Sequence, residues 1–321
     1  MSYTLVTTAK NEGPYFLEWV AYHRWVGFEN ILVYQNDSND LTDEILKELD
    51  RIGAINYYYN RAGHGRHQVR AYKRASRKAA YKQADWAMAL DMDEFLFIRT
   101  GDGKLDDLMQ ALPPTDEVLL NWRRFGHSGK RNLRGGLVTQ RFQIAEHQDR
   151  VTTHLTPFKA LFRPRMFERC GIHQPYPLSE PPESIRVCNG SGLPKDEFDW
   201  YRFRCKDPGK RALAQINHYI TRDAASFVLK SDRGSAHQAD RGIDKTYWRR
   251  RNFNDQRDDG LSRRAPIIKA AMAVLDAQSG GKLGELRLKS LEMHQARFKA
   301  LMKEPQYRDL YEFCASDAQA A

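Results

Sequence analysis

The chain has 321 residues, with 51 Lys and Arg against 41 Asp and Glu, a formal net charge of +10. A content of 41% hydrophobic and 29% charged residues excludes collagen, low-complexity disorder and a disulfide framework, and no run approaches the ~20 apolar residues that span a bilayer. With MSYTLVTTAKNEG at the start and four cysteines lacking CxxC spacing, the expectation is a cytoplasmic protein with reduced thiols, whose basic surface meets something acidic.

Tyr3–Ala9 is rich in β-formers and ends at the turn-like Lys10-Asn11-Glu12-Gly13. Pro14 suits the first turn of a helix that runs to Gly27, with Phe16, Leu17, Val20 and Trp25 on its apolar side. Ile31–Tyr34 reads as a second strand, and Asn36–Asp40 is dense turn chemistry. Thr42 or Asp40 caps the next helix, which carries Ile45, Leu46, Leu49 and Ile52 and stops at Gly53. Ala54–Tyr59 is a third strand; a polar loop through Gly63 and Gly65 then leads into a basic helix from about His67 to Gln83. Trp86–Leu90 is a fourth strand, ending on Asp91-Met92-Asp93-Glu94-Phe95. A helix near Leu105–Leu112 and a strand at Val118–Trp122 complete the run.

Strand–helix alternation with short loops predicts an α/β fold built on a doubly wound, mainly parallel sheet. Ligands of such sheets sit outside the carboxyl ends of the strands. Three polar loops, Lys10–Gly13, Asn36–Asp40 and Asp91–Glu94, therefore converge on one edge. After Phe125 the pattern loosens into short β-like pieces (Leu137–Ile144, Phe158–Phe162, Ile185–Val187), a strand at Asn217–Ile220 and a helix near Asp223–Ser231. Beyond Gly234 the chain is basic and helical, with amphipathic stretches at Ile267–Gln278 and Leu283–Met302. The expected division is 1–235, with a nucleotide-binding half at 1–122 and an acceptor half at 123–235, followed by a basic helical extension at 236–321.

Asp91 and Asp93 are two apart at the end of a strand, so both side chains point to one side. A divalent cation resolves their mutual repulsion, and hard carboxylate oxygens favour Mg²⁺ or Mn²⁺ with substrate phosphate oxygens as further ligands. The plain alternative is a solvated acidic turn. Asp37, at the end of the second strand, suits a ribose or base edge, and Lys10 suits a phosphate; an Asx-rich turn and an exposed lysine are the alternatives.

The segments TTAKNEGPYFLEWVAYHRWVGF, YQNDSNDLTDE and WAMALDMDEFLFI together resemble the family-2-like glycosyltransferases of the GT-A fold, and more narrowly the subgroup related to DUF23 and family 92. WRRFGHSG and INHYITRDAASFVLKSDRG look like later blocks of that subgroup, so the resemblance spans about residues 3–235. It implies a GT-A-type sheet, a nucleotide-sugar donor (UDP-sugar by preference), a divalent metal at the DxD and transfer to a hydroxyl of a surface glycan or lipid-linked saccharide. Carried over residue by residue, Thr8, Lys10, Asn11 and Glu12 border the nucleotide and Asp37 meets the uridine. Gln68 and Arg70 make polar donor contacts, Asp91 lies near ribose or metal, and Asp93 ligates the metal. His218 in INHY is the implied third ligand, a hydrogen-bonded core histidine being the alternative; His173 is the next choice. The absence of a (Q/R)xxRW block argues against processive synthesis. No Glu-Asp pair stands where the general base is usual, so the base is unassigned, and inversion rests on the resemblance.

Lys230 and Arg233 follow on a helix and suit a diphosphate clamp, solvent-exposed cations being the alternative. His127 and Ser128, beside two glycines, and the rings of Trp122 and Phe125 are candidate sugar contacts. The runs Arg249–Arg251 and Arg263–Arg264 suit anionic lipid headgroups or a phosphorylated glycan acceptor, a solvated helix face being the alternative. A phosphatase of the haloacid-dehalogenase type also uses DxD after a strand, but its nucleophilic Asp belongs on the first strand, which here ends TTAKNE. A polyanion-binding module without catalysis fits the charge and leaves the Asp loops unexplained; no nucleic-acid motif is present.

Overall fold

Side chains that alternate along the first strands build an apolar layer on each face of one sheet. Leu5, Val33 and Met88 enter one layer; their neighbours Val6, Leu32, Tyr34 and Ala87 enter the other. The computed structural model describes residues 1–61, 67–149, 155–207, 209–234 and 242–317. The strands of its main sheet are β1 (Tyr3–Ala9), β2 (Asn30–Gln35), β3 (Asn56–Tyr59), β4 (Trp86–Ala89), β5 (Glu94–Ile98) and β6 (Glu117–Arg124). They continue with β7 (Thr156–Phe162), β8 (Val187–Asn189), β9 (Trp200–Tyr201), β10 (Arg204–Cys205) and β11 (Ala214–His218).

Strands β3, β2, β1 and β4 run parallel in that order. The sheet then continues through β7, β6, β11 and β5. Of these, β7 is antiparallel to β4 and β6, and β11 is parallel to β6 but antiparallel to β5. Strand β8 lies beside β6, and the β9–β10 hairpin hangs on β7. This is the expected α/β architecture, a mainly parallel central sheet with C-terminal helices.

The helices are α1 (Gly13–Val26), α2 (Thr42–Arg51), α3 (His67–Ala75), α4 (Ala79–Lys82), α5 (Leu105–Ala111) and α6 (Val138–Arg141). After the mixed strands come α7 (Ala224–Arg233), α8 (Lys245–Arg249), α9 (Ala265–Gln278), α10 (Lys282–Leu301) and α11 (Pro305–Asp317). Helix α1 is pinned across β5 by Trp19 Nε1 donating to the Glu94 carbonyl (2.9 Å) and Tyr22 Oη donating to that of Leu96 (2.6 Å). Helices α9 and α10 complete this layer: Leu261, Ile268, Leu275 and Leu283 are buried in the same cluster as Phe16, Trp19 and Val20. A separate cluster of Phe227, Val228, Trp248, Leu301 and Leu310 joins α7 to the last helices.

Several expectations are corrected. The helix expected at 67–83 is two, because Ser76 Oγ donates back to the Tyr72 carbonyl (2.9 Å) and Lys78 turns extended. Leu137–Ile144 is mostly the helical turn α6. The Glu18 carboxylate reaches from α1 and accepts from the Val138 and Thr139 amides (2.7 and 3.0 Å), which favours a helix N-terminus over a strand. Strand β5 starts at Glu94, directly after the two aspartates, where the sequence pattern predicts a loop and no strand. The loop through Gly63 and Gly65 lies outside the described residues.

Candidate functional site

Two strand-end loops are stitched together before any ligand is considered. Asn11 Nδ2 donates to Asn39 Oδ1 and the Asn39 amide returns a bond to Asn11 Oδ1, each 2.9 Å; the Asn11 amide donates to Ser38 Oγ (3.0 Å). Asp40 accepts from the Gly13 amide (3.0 Å), the Thr42 amide (3.1 Å) and His294 Nε2 (2.7 Å), which ties both loops to α10. Asn11 (φ 52°) and Asp37 (40°) hold left-handed backbone conformations in these loops, and Arg222 (54°) does so in the segment before α7.

Between the loops and helices α7 and α10 opens a cavity of about 510 Å³. Lys10, Asn11, Glu12, Asp37, Asp93 and Lys230 line it, so six of the expected site residues meet there. Asp40, Arg222, Asp232, Arg233, His294 and Arg297 add further polar and charged groups to the wall, with Met293 among them. Glu12 is buried between two guanidinium groups, Arg222 at 2.9 Å and Arg233. Burial alone would raise its carboxyl, but the two cations outweigh it and hold Glu12 below the ordinary value. Arg222 also lies 3.6 Å over the Tyr15 ring.

Asp93 Oδ2 accepts from Lys230 Nζ at 2.8 Å, and Asp93 Oδ1 stands 3.5 Å from His218 Nε2. Against the burial penalty, Lys230, His218 and Arg222 keep this carboxyl well below its usual range. Burial holds the His218 imidazole below its ordinary value although Asp93 opposes it, so the ring is neutral, with one N–H and one lone pair. Its Nδ1 is buried without a partner. One carboxylate oxygen and one neutral imidazole nitrogen facing the same space fit two ligands of a divalent cation. Asp91 faces away from this pair, and among the described residues no three His, Cys, Asp or Glu side chains converge as a metal group.

Asp91 instead heads a second cluster. Its Oδ1 accepts from Gln68 Nε2 (2.6 Å), and its Oδ2 lies 3.1 Å from Lys159 Nζ. Lys159, fully buried on β7, also reaches Glu94 Oε2 (3.2 Å) and the Ile172 carbonyl (2.8 Å). Burial, with Asp91 and Asp93 adding to it, pushes the Glu94 carboxyl up to about 8 despite Lys159. Thr8 closes β1, outside the cavity lining, and Arg70 is exposed on α3.

The sequence reading missed Lys159, Glu94, Arg222 and the α10 wall. Lys159 had a signal, a lone cation inside the apolar run Phe158–Phe162. His173 stands on the far side of Trp122. Its Nδ1 donates to the Phe158 carbonyl (2.9 Å), and its ring lies 5.3 Å from Trp122, which is 4.3 Å from His218. Burial, aided by Lys159, holds the His173 imidazole down at about 4.

Other expected contacts are structural. His127 is buried on Trp248 and bonded to Asn252 Oδ1 (2.9 Å), Ser128 Oγ accepts the Gln143 and Ile144 amides, and Phe125 is core. Arg249 and Arg251 lie over Phe313 and Tyr247, and Arg264 is set against Trp25 and Phe97, so these basic runs pack partly against rings of their own chain. Among the described residues no helix is long and apolar enough to cross a membrane.

The sequence profile of glycosyltransferase family 92 matches residues 8–191. A family 92 protein of Ricinus communis is 26% identical over 141 residues, 42% of this chain and 25% of that protein. One of Oryza sativa subsp. japonica is 25% identical over 142 residues, 41% of this chain and 23% of that protein. The chain thus aligns with about a quarter of the length of these curated relatives. Among solved structures, S. aureus TarS 1–349 is similar with a TM-score of 0.35 at 13% identity, covering 100% of this chain and 92% of that one. The same protein in complex with UDP gives a TM-score of 0.33 at 17% identity over 52% of this chain and 48% of that one.

Proposed function

The chain belongs to glycosyltransferase family 92, and from that premise we propose that it moves a sugar from a nucleotide-diphosphate sugar, a UDP-sugar, to an acceptor hydroxyl of a surface glycan or lipid-linked saccharide. The observation that carries the reading is that Asp93, which lines the cavity with Lys230, is paired with Lys230 at 2.8 Å and stands 3.5 Å from the buried His218 behind it. Asp37 and Lys10 suit the nucleoside and its phosphates at one end of that cavity. Lys230 and Arg233, three apart on α7, face the same space and are placed to stabilise charge on the departing diphosphate.

Asp93 and His218 are the residues that would hold a divalent cation, Mn²⁺ or Mg²⁺, which when bound supplies Lewis-acid stabilisation of the leaving group. Asp91, bonded to Gln68 and Lys159, supports the loop and faces the ribose. Transfer with inversion needs a base at the acceptor hydroxyl. We assign it to His173. Its tautomer is set by the bond to Phe158, which leaves Nε2 open to take the acceptor proton as the oxygen bonds to the anomeric carbon and the bond to the diphosphate breaks. The wider kinship with family-2-like enzymes is part of this reading, as is peripheral contact with an anionic membrane.

Thermal unfolding with UDP and Mn²⁺ tests it. Together they are expected to raise the midpoint, and Asp93→Ala is expected to abolish the rise. His173→Ala is expected to keep the rise and lower transfer about 100-fold. A wild-type protein indifferent to UDP with Mn²⁺, or an Asp93→Ala protein that responds like wild type, would overturn the reading.

A further inference from the structure

At Asp93 the cavity wall already carries a cation of its own. Lys230 Nζ, from the last turn of α7, donates to Asp93 Oδ2 and to the Ile220 carbonyl, each at 2.8 Å. Two of the three ammonium N–H groups are thereby satisfied, which leaves the third for whatever enters the cavity that Lys230 lines. Little water reaches the pair: the Lys230 side chain is 17% exposed and that of Asp93 14%. The ammonium thus holds the carboxylate that a divalent cation would need.

Other cations of the wall are committed elsewhere. Arg222 and Arg233 share the Glu12 carboxylate, and Arg297 pairs with Asp232. Among the described residues Lys230 has no carboxylate but Asp93. The two partners also differ in freedom. The Asp93 carbonyl accepts from the Tyr219 amide (2.8 Å), next to the rung that pairs Glu94 with His218, so the backbone of Asp93 is fixed to the sheet. Lys230 reaches it on a flexible four-carbon stem, so the pair opens at the lysine.

A dication and an ammonium on one carboxylate repel each other, and in a site so poorly hydrated that repulsion is weakly screened. Occupation of Asp93 by the metal therefore requires the ammonium to leave. A diphosphate in the cavity gives it somewhere to go, because it offers acceptor oxygens and negative charge to the same stem.

We propose that Lys230 is the resident counter-ion of Asp93 and guards the cation site: it holds the carboxylate until a nucleotide enters, then passes to the diphosphate and frees Asp93 for the metal. This guard rests on the transferase reading and adds an order of binding to it, in which the nucleotide opens the metal site. The nucleotide-free protein then has a cation site of low affinity, and removal of the lysine's charge raises that affinity without any nucleotide.

Mn²⁺ alone is titrated into the nucleotide-free full chain, read by the loss of the free ion's electron paramagnetic resonance signal, and the titration is repeated with saturating UDP. Lys230→Met is expected to bind nucleotide-free Mn²⁺ about tenfold or more tightly than wild type, and to gain less than wild type from added UDP. Arg233→Met removes the same charge from the same helix but leaves the pair intact, and is expected to change the nucleotide-free affinity by less than about threefold. Nucleotide-free affinity in Lys230→Met equal to or weaker than wild type, or an equal gain in Arg233→Met, overturns the guard; if UDP still tightens Mn²⁺ binding by wild type, the transferase reading stands. Mn²⁺ bound by none of these proteins, with or without UDP, removes the metal from that reading and the guard with it. Lys230→Gln keeps a donor for the Ile220 carbonyl and carries no charge; it replaces a Lys230→Met protein whose unfolding midpoint falls, with the same expected gain.

Discussion

Lys159 shows what a single buried charge does here. An ammonium group with no exposed surface is tolerated only when its partners surround it, and Asp91, Glu94 and the Ile172 carbonyl do so. Replacing it with methionine keeps the stem's volume but leaves two carboxyl groups facing one another. Lys159→Met is expected to cost about 3 kcal/mol in urea unfolding, and adding Glu94→Gln to restore part of it. Equal stability of Lys159→Met and wild type would remove the lysine from this structural role. Asp91 and Asp93 were legible in the sequence as a local pair at a strand end, but the parting of their carboxylates into two clusters was not. Their cations were not: Lys159 is 68 residues from Asp91, and Lys230 is 137 from Asp93. Such pairs are set by strand order, which periodicity does not encode.

At the scale of elements, close approach decides what the helices can be made of. Gly13 opens α1 where α10 crosses it, and a Cβ there would lie 2.3 Å from Ser290 Oγ and 3.1 Å from the Asp40 carbonyl. Gly13→Ala is therefore expected to push α10 from α1 and lower stability by about 2 kcal/mol, with Ser290→Gly relieving part of the loss. Calorimetric midpoints of the single and double variants check it; additive losses would exclude the contact. The first four strands and two helices were readable because each apolar pattern matched its own period. The break at Ser76, the turn α6 and the start of β5 were not, since a side-chain bond, a distant Glu18 carboxylate and a strand abutting a motif leave no periodic trace.

For the whole molecule, the family match at residues 8–191 and the folded unit do not coincide. Helices α9 and α10 bury Ile268, Leu275 and Leu283 against α1, and α10 supplies Met293, His294 and Arg297 to the cavity. The basic C-terminal third is thus part of the site wall and of the core, which its amphipathic pattern alone left open. Global stability should follow the groups locked into that core. His23 on α1 donates Nδ1–H to the Trp19 carbonyl (2.9 Å), and its Nε2 faces the Leu96 amide at 3.4 Å. Burial holds its imidazole down at about 3, against an ordinary value of 6.5. Because the folded value is the lower one, the unfolded chain takes up the proton first. The contribution is complete above about pH 6.5 and falls as pH drops, by about 1.4 kcal/mol per unit, until the folded value is reached. His127, His173 and His218 shift in the same direction, while Glu94, raised to about 8, contributes most at low pH and works against them. Comparing wild type with His23→Gln removes those shared contributions. The gap in unfolding free energy between the two should narrow, or turn in favour of the variant, by about 1.4 kcal/mol for each unit from pH 6 to pH 4. A gap that stays constant across that range would mean that His23 already carries its proton in the folded core.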